Sequence, residues 1–354
     1  MQTRKQFLKN TLSIASGVAL YGLKGMPPLM TTPPYPYVSF DLHCHPGRLF
    51  EVGNNFGAPL VPGQTIHEMI SAHISGAFFS LVADSKLIKL GPTGVIIAGK
   101  YESGEAWSEY KRQLKDMKDF LEKSSVHQST KSSDLKPSGP LAAYISVEGG
   151  DFLEGQVDRL DEVYQDGVRS IQLVHYAPND LGDLQTSTSM HNGLSSFGKD
   201  VVRKMNKLGI LIDVAHATLQ TTKAVAGLSD APIMLSHSIL EMDSDRPIAK
   251  RAISKEHAQL VAKTGGLIGA WPSGFNKSFE EYVDNILRMA DVVGIDHVGI
   301  GTDMDGNFKP VLSSYIQFST LANAFKNKGL SVSDIGKIMG DNASRVLKKV
   351  FKTN

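Results

Sequence analysis

Five side chains that can hold a metal, His43, His45, Glu148, His216 and His237, each stand at the end of a short apolar run of β type, and Asp303 repeats the pattern near the end of the chain. That recurrence restricts the fold more than any other feature. An ionisable group at the end of a buried strand is costly unless something meets it. A barrel of parallel strands gathers many strand ends at one mouth, whatever their distance in sequence. Strands alternate with amphipathic helices to the end and no internal repeat interrupts them. The expectation is therefore an α/β fold, one (β/α)8 TIM-like barrel over residues 31–354.

The first run, from Tyr37 to Leu42, closes on His43-Cys44-His45. Residues two apart on an extended backbone share a face, so both imidazoles can reach one ion, while Cys44 should point the other way as a small buried hydrophobe. The second run, from Leu141 to Val147, delivers Glu148 and then Gly149-Gly150, a pair that lets the backbone turn and swing the carboxylate inward. The plainer alternative is a carboxylate that caps the following helix. Gly209 to Ala215 ends in His216, and Ala231 to Ser236 ends in His237. One strand-end histidine is more often a satisfied core group, but four with a glutamate are not. Imidazole and carboxylate donors without thiolate suit zinc first, with manganese, iron or cobalt as substitutes. A carboxylate among four histidines can also bridge, so two divalent ions are expected. Asp303 comes first after the last apolar run and is the candidate general base for a metal-bound water. Asp305 before Gly306 reads as a turn residue, and His297 sits at the strand entrance, the wrong end of a barrel for chemistry.

Together with Leu173-Val174-His175-Tyr176 and the ending Gly340-Asp341-Asn342-Ala343-Ser344-Arg345-Val346-Leu347, these segments, in this order from about Val38 onward, resemble the membrane dipeptidase (renal dipeptidase) family of zinc hydrolases in the amidohydrolase superfamily. The resemblance implies hydrolysis of a dipeptide by a hydroxide held between two zinc ions. It implies His43, His45, Glu148, His216 and His237 as ligands, Glu148 as the bridge, and Asp303 as the acid that handles the proton. His175, at the end of the run from Val168 to Val174, matches the histidine that supports the scissile carbonyl oxygen. Arg251 matches the arginine that holds the substrate carboxylate, which a planar guanidinium grips through two parallel hydrogen bonds. Arg246 competes for that role, because the loop after His237 is longer than in the family. One departure is the first motif, where the family commonly has His-x-Asp. His45 removes one negative charge and puts substrate preference, not metal binding, in question. Hydrolysis of an N-acyl amino acid, a lactam or a lactone would use the same machinery. A catalytically silent metal-binding barrel would instead require a ligand or the proton-handling acid to be missing.

Charges nearly cancel, 37 Lys and Arg against 36 Asp and Glu for a net +1, and they are interspersed. This argues against nucleic acid or an anionic membrane surface as a partner and leaves a homodimer open. A single cysteine excludes an intrachain disulfide. At the start, Arg4, Lys5 and Lys9 precede a weakly apolar stretch from Leu12 to Leu23, followed by Pro27, Pro28, Pro33 and Pro34. That order reads as an export signal over residues 1–30, with a disordered tail as the alternative, and Thr3 to Lys9 resembles a twin-arginine signal with lysine second. The expectation is an exported protein, periplasmic or extracellular, without a stable transmembrane anchor. Glu105 to Lys123 and Ser195 to Leu208 have helical apolar spacing, the latter with Phe197, Val201, Val202, Met205 and Leu208 as its core stripe. Ser124 to Gly139 reads as a loop, Gln185 to Asn192 as a mobile lid, and a helix after Ser333 should close the domain.

Overall fold

A computed structural model describes residues 35–51, 60, 61, 63–91, 94–241 and 250–352. The expected export segment and Arg246 lie outside the described residues. The chain divides into Met1–Thr32 and a second unit, Pro33–Asn354. Within the second unit the strands are β1 (Phe40–Cys44), β2 (Gly76–Val82), β3 (Ile88–Gly91), β4 (Gly94–Ile97), β5 (Ala142–Glu148), β6 (Val168–Gln172), β7 (Leu211–Asp213), β8 (Met234–Ser238), β9 (Leu267–Ala270) and β10 (Val298–Ile300). Eight of them close a barrel in the order β1-β10-β9-β8-β7-β6-β5-β2. Every pairing in it is parallel. β3 and β4 form a separate antiparallel ribbon.

Period-two alternation explains how a strand feeds the mouth. In β5, Ala143, Ile145 and Val147 pack outward into the main apolar core, while Ala142 and Tyr144 pack in a second cluster with Phe40, Phe78, Leu211, Met234 and Leu267. Glu148 shares the face of Tyr144, so its carboxylate enters the barrel. The helix Asn342–Val350 supplies Val346, Leu347 and Val350 to that second cluster. These residues plug the end where the strands begin. The ionisable side chains are thereby left to the other end, as the sequence predicts.

Capping chemistry sets the helix starts. Ser195 accepts a hydrogen bond from the Gly198 N–H, which begins the helix Ser196–Leu208 where the spacing places it. Thr218, Ser254 and Ser278 cap Leu219–Leu228, Lys255–Lys263 and Phe279–Val293 in the same way. Glu105–Lys123 is also helical as expected. β2 and β9, both buried along their length, and the β3–β4 ribbon carry no strand-end histidine to mark them in the sequence.

Candidate metal centre

The two strands that carry histidine within or at their ends are irregular where the histidines leave them. β1 shifts register against β2 between Asp41 and Cys44, and β8 shifts against β9 between Leu235 and Ser238. A bulge re-aims a side chain. Two buried aspartates each accept one backbone N–H at these shifts and one from the loop after a neighbouring strand or their own. Asp41 Oδ1 accepts from the N–H groups of His43 at 3.1 Å and Thr302 at 2.9 Å. Asp213 Oδ1 likewise accepts from Ala215 at 2.9 Å and Ser236 at 3.0 Å. Tyr315 and Thr302 donate hydroxyls to the other Asp41 oxygen at 2.6 and 2.5 Å. Neither aspartate stood out in the sequence as more than part of a motif.

The five expected ligands and Asp303 come together. His43 Nε2 and His45 Nε2 lie 3.1 Å apart, as do His216 Nε2 and His237 Nε2. Glu148 stands between the pairs. Its Oε2 is 3.4 Å from His45, and its Oε1 is 3.5 Å from His43, 3.5 Å from His216 and 3.8 Å from His237. Asp303 Oδ1 is 3.2 Å from His45 Nε2 and 4.0 Å from His43 Nε2, so it joins the first histidine pair. Cys44 points away, its thiol donating to the Phe78 carbonyl at 3.3 Å, as the alternation predicts. His297 lies at the start of β10, bonded to the Gly266 carbonyl, and Asp305 is a turn residue with φ 68° that accepts from Gly47 and Thr65.

These donors fit divalent cations. His45 Nδ1 faces the Ser80 carbonyl at 3.1 Å, an acceptor only, so Nδ1 carries the proton and Nε2 turns a lone pair inward. His237 Nδ1 has Ser236 Oγ at 3.0 Å. Converging lone pairs and carboxylate oxygens need positive charge among them, a metal cation or the protons that the histidines take up in its place. A tetrahedral zinc with bonds of about 2.0–2.1 Å sets its ligand atoms about 3.3 Å apart, close to the spacings found. Left to the side chains alone, burial pulls the His45 imidazole down, but Asp303 and Glu148 outweigh it and hold its pKa at about 10. Burial likewise pushes Glu148 up, and the surrounding histidines, His175 and His43 foremost, bring it well below the usual carboxylate range. His216 and Asp303 hold left-handed backbone, φ 66° and 53°, a strain that tight surroundings must sustain. Gly306 leaves room beside them, since a Cβ there would stand 2.7 Å from the His45 ring and 2.9 Å from Asp303 Oδ1.

The remaining predicted residues flank this cluster. His175 Nε2 is 3.4 Å from Glu148 Oε1, and its Nδ1 is 2.7 Å from Asp84 Oδ1. Asp84, fully buried, also accepts the backbone N–H groups of Tyr176 and Ala177. The sequence reading missed Asp84, which follows the unmarked strand β2. Arg251 is 6% exposed, and its guanidinium and the His237 ring each lie 5.7 Å from the Trp271 ring. Its Nη1 donates to Gln185 Oε1, while Nε and Nη2 make no hydrogen bond among the described residues. Gln185 belongs to the segment expected to be a mobile lid. In that segment, and at Gly193 just after it, Asp183 accepts from Ser189, Met190, His191 and Gly193. Those donors outweigh burial and bring the Asp183 pKa to about 2.

A closed parallel barrel with imidazoles and a carboxylate gathered at the mouth where its strands end defines a metal-binding (β/α)8 barrel of the metallopeptidase and amidohydrolase type. The chain belongs to the membrane dipeptidase family, peptidase family M19, whose profile matches residues 40–354. A dipeptidase of Clonostachys rogersoniana is 29% identical over 60% of this chain and 56% of that protein, so the chain spans little more than half of that relative's length. An uncharacterised dipeptidase of Schizosaccharomyces pombe is 27% identical over 83% of this chain and 75% of its own. Among solved structures, a metallopeptidase of Rhodobacter sphaeroides, bound to a phosphinate mimic of the dipeptide L-Ala-D-Ala, superposes with a TM-score of 0.74 at 18% identity, covering 89% of this chain and 99% of that one. Among the described residues no helix is long and apolar enough to cross a membrane.

Proposed function

We propose that the protein hydrolyses dipeptides with a free C-terminal carboxylate, using two divalent cations, zinc by donor type, held by His43, His45, Glu148, His216 and His237. The observation that carries this reading is the Glu148 carboxylate standing between the two histidine pairs, Oε2 near His45 and Oε1 near His43, His216 and His237, beside a buried arginine whose Nε and Nη2 have no hydrogen bond among the described residues. When bound, the cations acidify a water and polarise the scissile carbonyl. Asp303, beside the first pair, accepts the water's proton and returns it to the leaving amine. His175 supports the carbonyl oxygen as charge develops there. Arg251 presents Nε and Nη2, the side-on edge that matches a carboxylate with two parallel hydrogen bonds. The enzyme thereby measures the length of the peptide.

The test is a panel of dipeptides, their C-terminal amides and N-acyl amino acids, assayed with metal-loaded and chelated protein alongside elemental analysis. Free dipeptides should turn over only with metal, and amides at least about a hundredfold more slowly in kcat/KM, because an unpaired buried guanidinium replaces a charged pair. Equal rates on acid and amide would remove Arg251 from this role. Faster hydrolysis of the N-acyl compounds would replace the dipeptide reading.

Asp84 gives a separate expectation. Asp84→Asn keeps the shape but aims either an amide NH2 at His175 Nδ1 or one at the backbone N–H groups of Tyr176 and Ala177. In the first case the imidazole, whose pKa burial lowers but Asp84 and Glu148 together raise above its usual value, loses the charge of Asp84, so Nε2 faces the carbonyl oxygen as a weaker, neutral donor. A fall in kcat of about tenfold or more, or ~1.4 kcal/mol of barrier, should follow with metal content unchanged. Wild-type kcat in this variant would show that His175 needs no partner.

A further inference from the structure

Gln185 spends both ends of its side chain on the segment that carries Arg251. Its Oε1 accepts from Arg251 Nη1, and its Nε2 donates to the Ala252 carbonyl at 3.2 Å. The amide orientation follows from its partners, since a guanidinium only donates and a carbonyl only accepts. A flipped amide would face donor with donor and oxygen with oxygen. The backbone of Gln185 is fixed as well. Its N–H donates to the His216 carbonyl at 2.8 Å, Leu184 bridges to Ala217, and Asp183 next to it organises the loop through four accepted hydrogen bonds. Arg251 is therefore held from one side by a rigid, neutral acceptor, with Trp271 lying 5.7 Å from the guanidinium.

Two consequences follow from the acceptor being an amide. It occupies Nη1 and leaves the Nε and Nη2 edge, near the Tyr176 side chain, without a hydrogen bond of good geometry among the described residues. It also leaves the arginine's positive charge uncancelled. A glutamate of the same length would accept a stronger hydrogen bond and neutralise that charge, so orientation and charge are separable at this position.

We propose that Gln185 is a positioning residue for the substrate's terminal carboxylate, orienting Arg251 without competing for its charge and so setting the preference for an anionic end group. This rests on the reading that Arg251 holds the carboxylate. No signal in the sequence marked Gln185, because its partner lies sixty-six positions away in a different loop.

The experiment measures KM and kcat of the metal-loaded protein on a dipeptide and on its C-terminal amide, for Gln185→Glu, Gln185→Met, Arg251→Met and the double variant Gln185→Met with Arg251→Met. Metal content equal to wild type certifies each fold. Gln185→Glu should raise KM for the free dipeptide by about tenfold or more, and by more than Gln185→Met does, with kcat and the amide's kinetics little changed. A merely structural brace predicts the reverse order, since glutamate is the better acceptor. The double variant should be no worse than Arg251→Met alone, because the glutamine acts only through the arginine. If Arg251→Met removes the preference for acid over amide and both Gln185 variants retain it, Gln185 has no such role and the reading of Arg251 stands. If Arg251→Met keeps the preference, the reading of Arg251 itself fails. A Gln185→Met variant as impaired as Gln185→Glu, or a further loss in the double variant, also overturns the proposal.

Discussion

Glu148→Gln is expected to release the bound cations and to lower kcat/KM by more than about a hundredfold. The substitution keeps length and shape, so the loss measures charge. Glu148 Oε1 lies 3.4–3.8 Å from imidazole nitrogens of His43, His175, His216 and His237, and Oε2 lies 3.4 Å from that of His45. An amide offers those positions one neutral oxygen and one NH2 group, which cannot bind a cation at all. Removing a residue that merely orients a metal ligand costs about 10–100-fold in affinity or activity, and a ligand shared by both histidine pairs should cost more. Elemental analysis beside the dipeptide assay checks it. Full metal content with more than a tenth of the activity would exclude Glu148 as the bridge.

For Asp303→Asn the expected signature differs: at saturating metal, kcat drops by roughly 10²–10⁴-fold while KM stays within a few fold. Asparagine is chosen because Asp303 has φ 53°, a left-handed conformation that asparagine tolerates better than most residues. The backbone is thereby preserved and the proton acceptor removed. Asp303 is also within ligand distance of His43 and His45, which is why the assay must saturate the site with metal. A variant with kcat within tenfold of wild type would mean that another group carries the proton.

What could be read from the sequence was the set of strand-end side chains, because a costly polar group after an apolar run has few explanations. His43, His45, Glu148, His216, His237, His175, Asp303 and Arg251 all fall at or beside one mouth. The parts that were hidden are the ones set by geometry between strands. Asp41 and Asp213 each accept one N–H at a register shift and one from a loop, and no local pattern announces either meeting. Asp84 is paired to a histidine ninety-one positions away, and it follows a strand that is buried along its length and carries no ionisable residue. The segment from Gln185 to Asn192 reads as a lid by composition, and composition does not show that one aspartate supplies the acceptor for three of its donors and for Gly193 just beyond it. Strand lengths were overestimated for the same reason. β7 and β10 are three residues each, and His216 and Asp303 sit on the loops that follow.

The seam where the barrel closes joins its first strand to its last, through the pairing of Asp41 with Ile300 and the side-chain grip of Asp41 on Thr302 and Tyr315. His43 and Asp303 face each other across that seam, more than 250 positions apart. A ribosome must therefore deliver nearly the whole polypeptide before the first histidine pair gains its acid, and loop-closure entropy of that size makes the join a late event. The proton acceptor thus joins the first histidine pair only when the two ends of the cylinder meet.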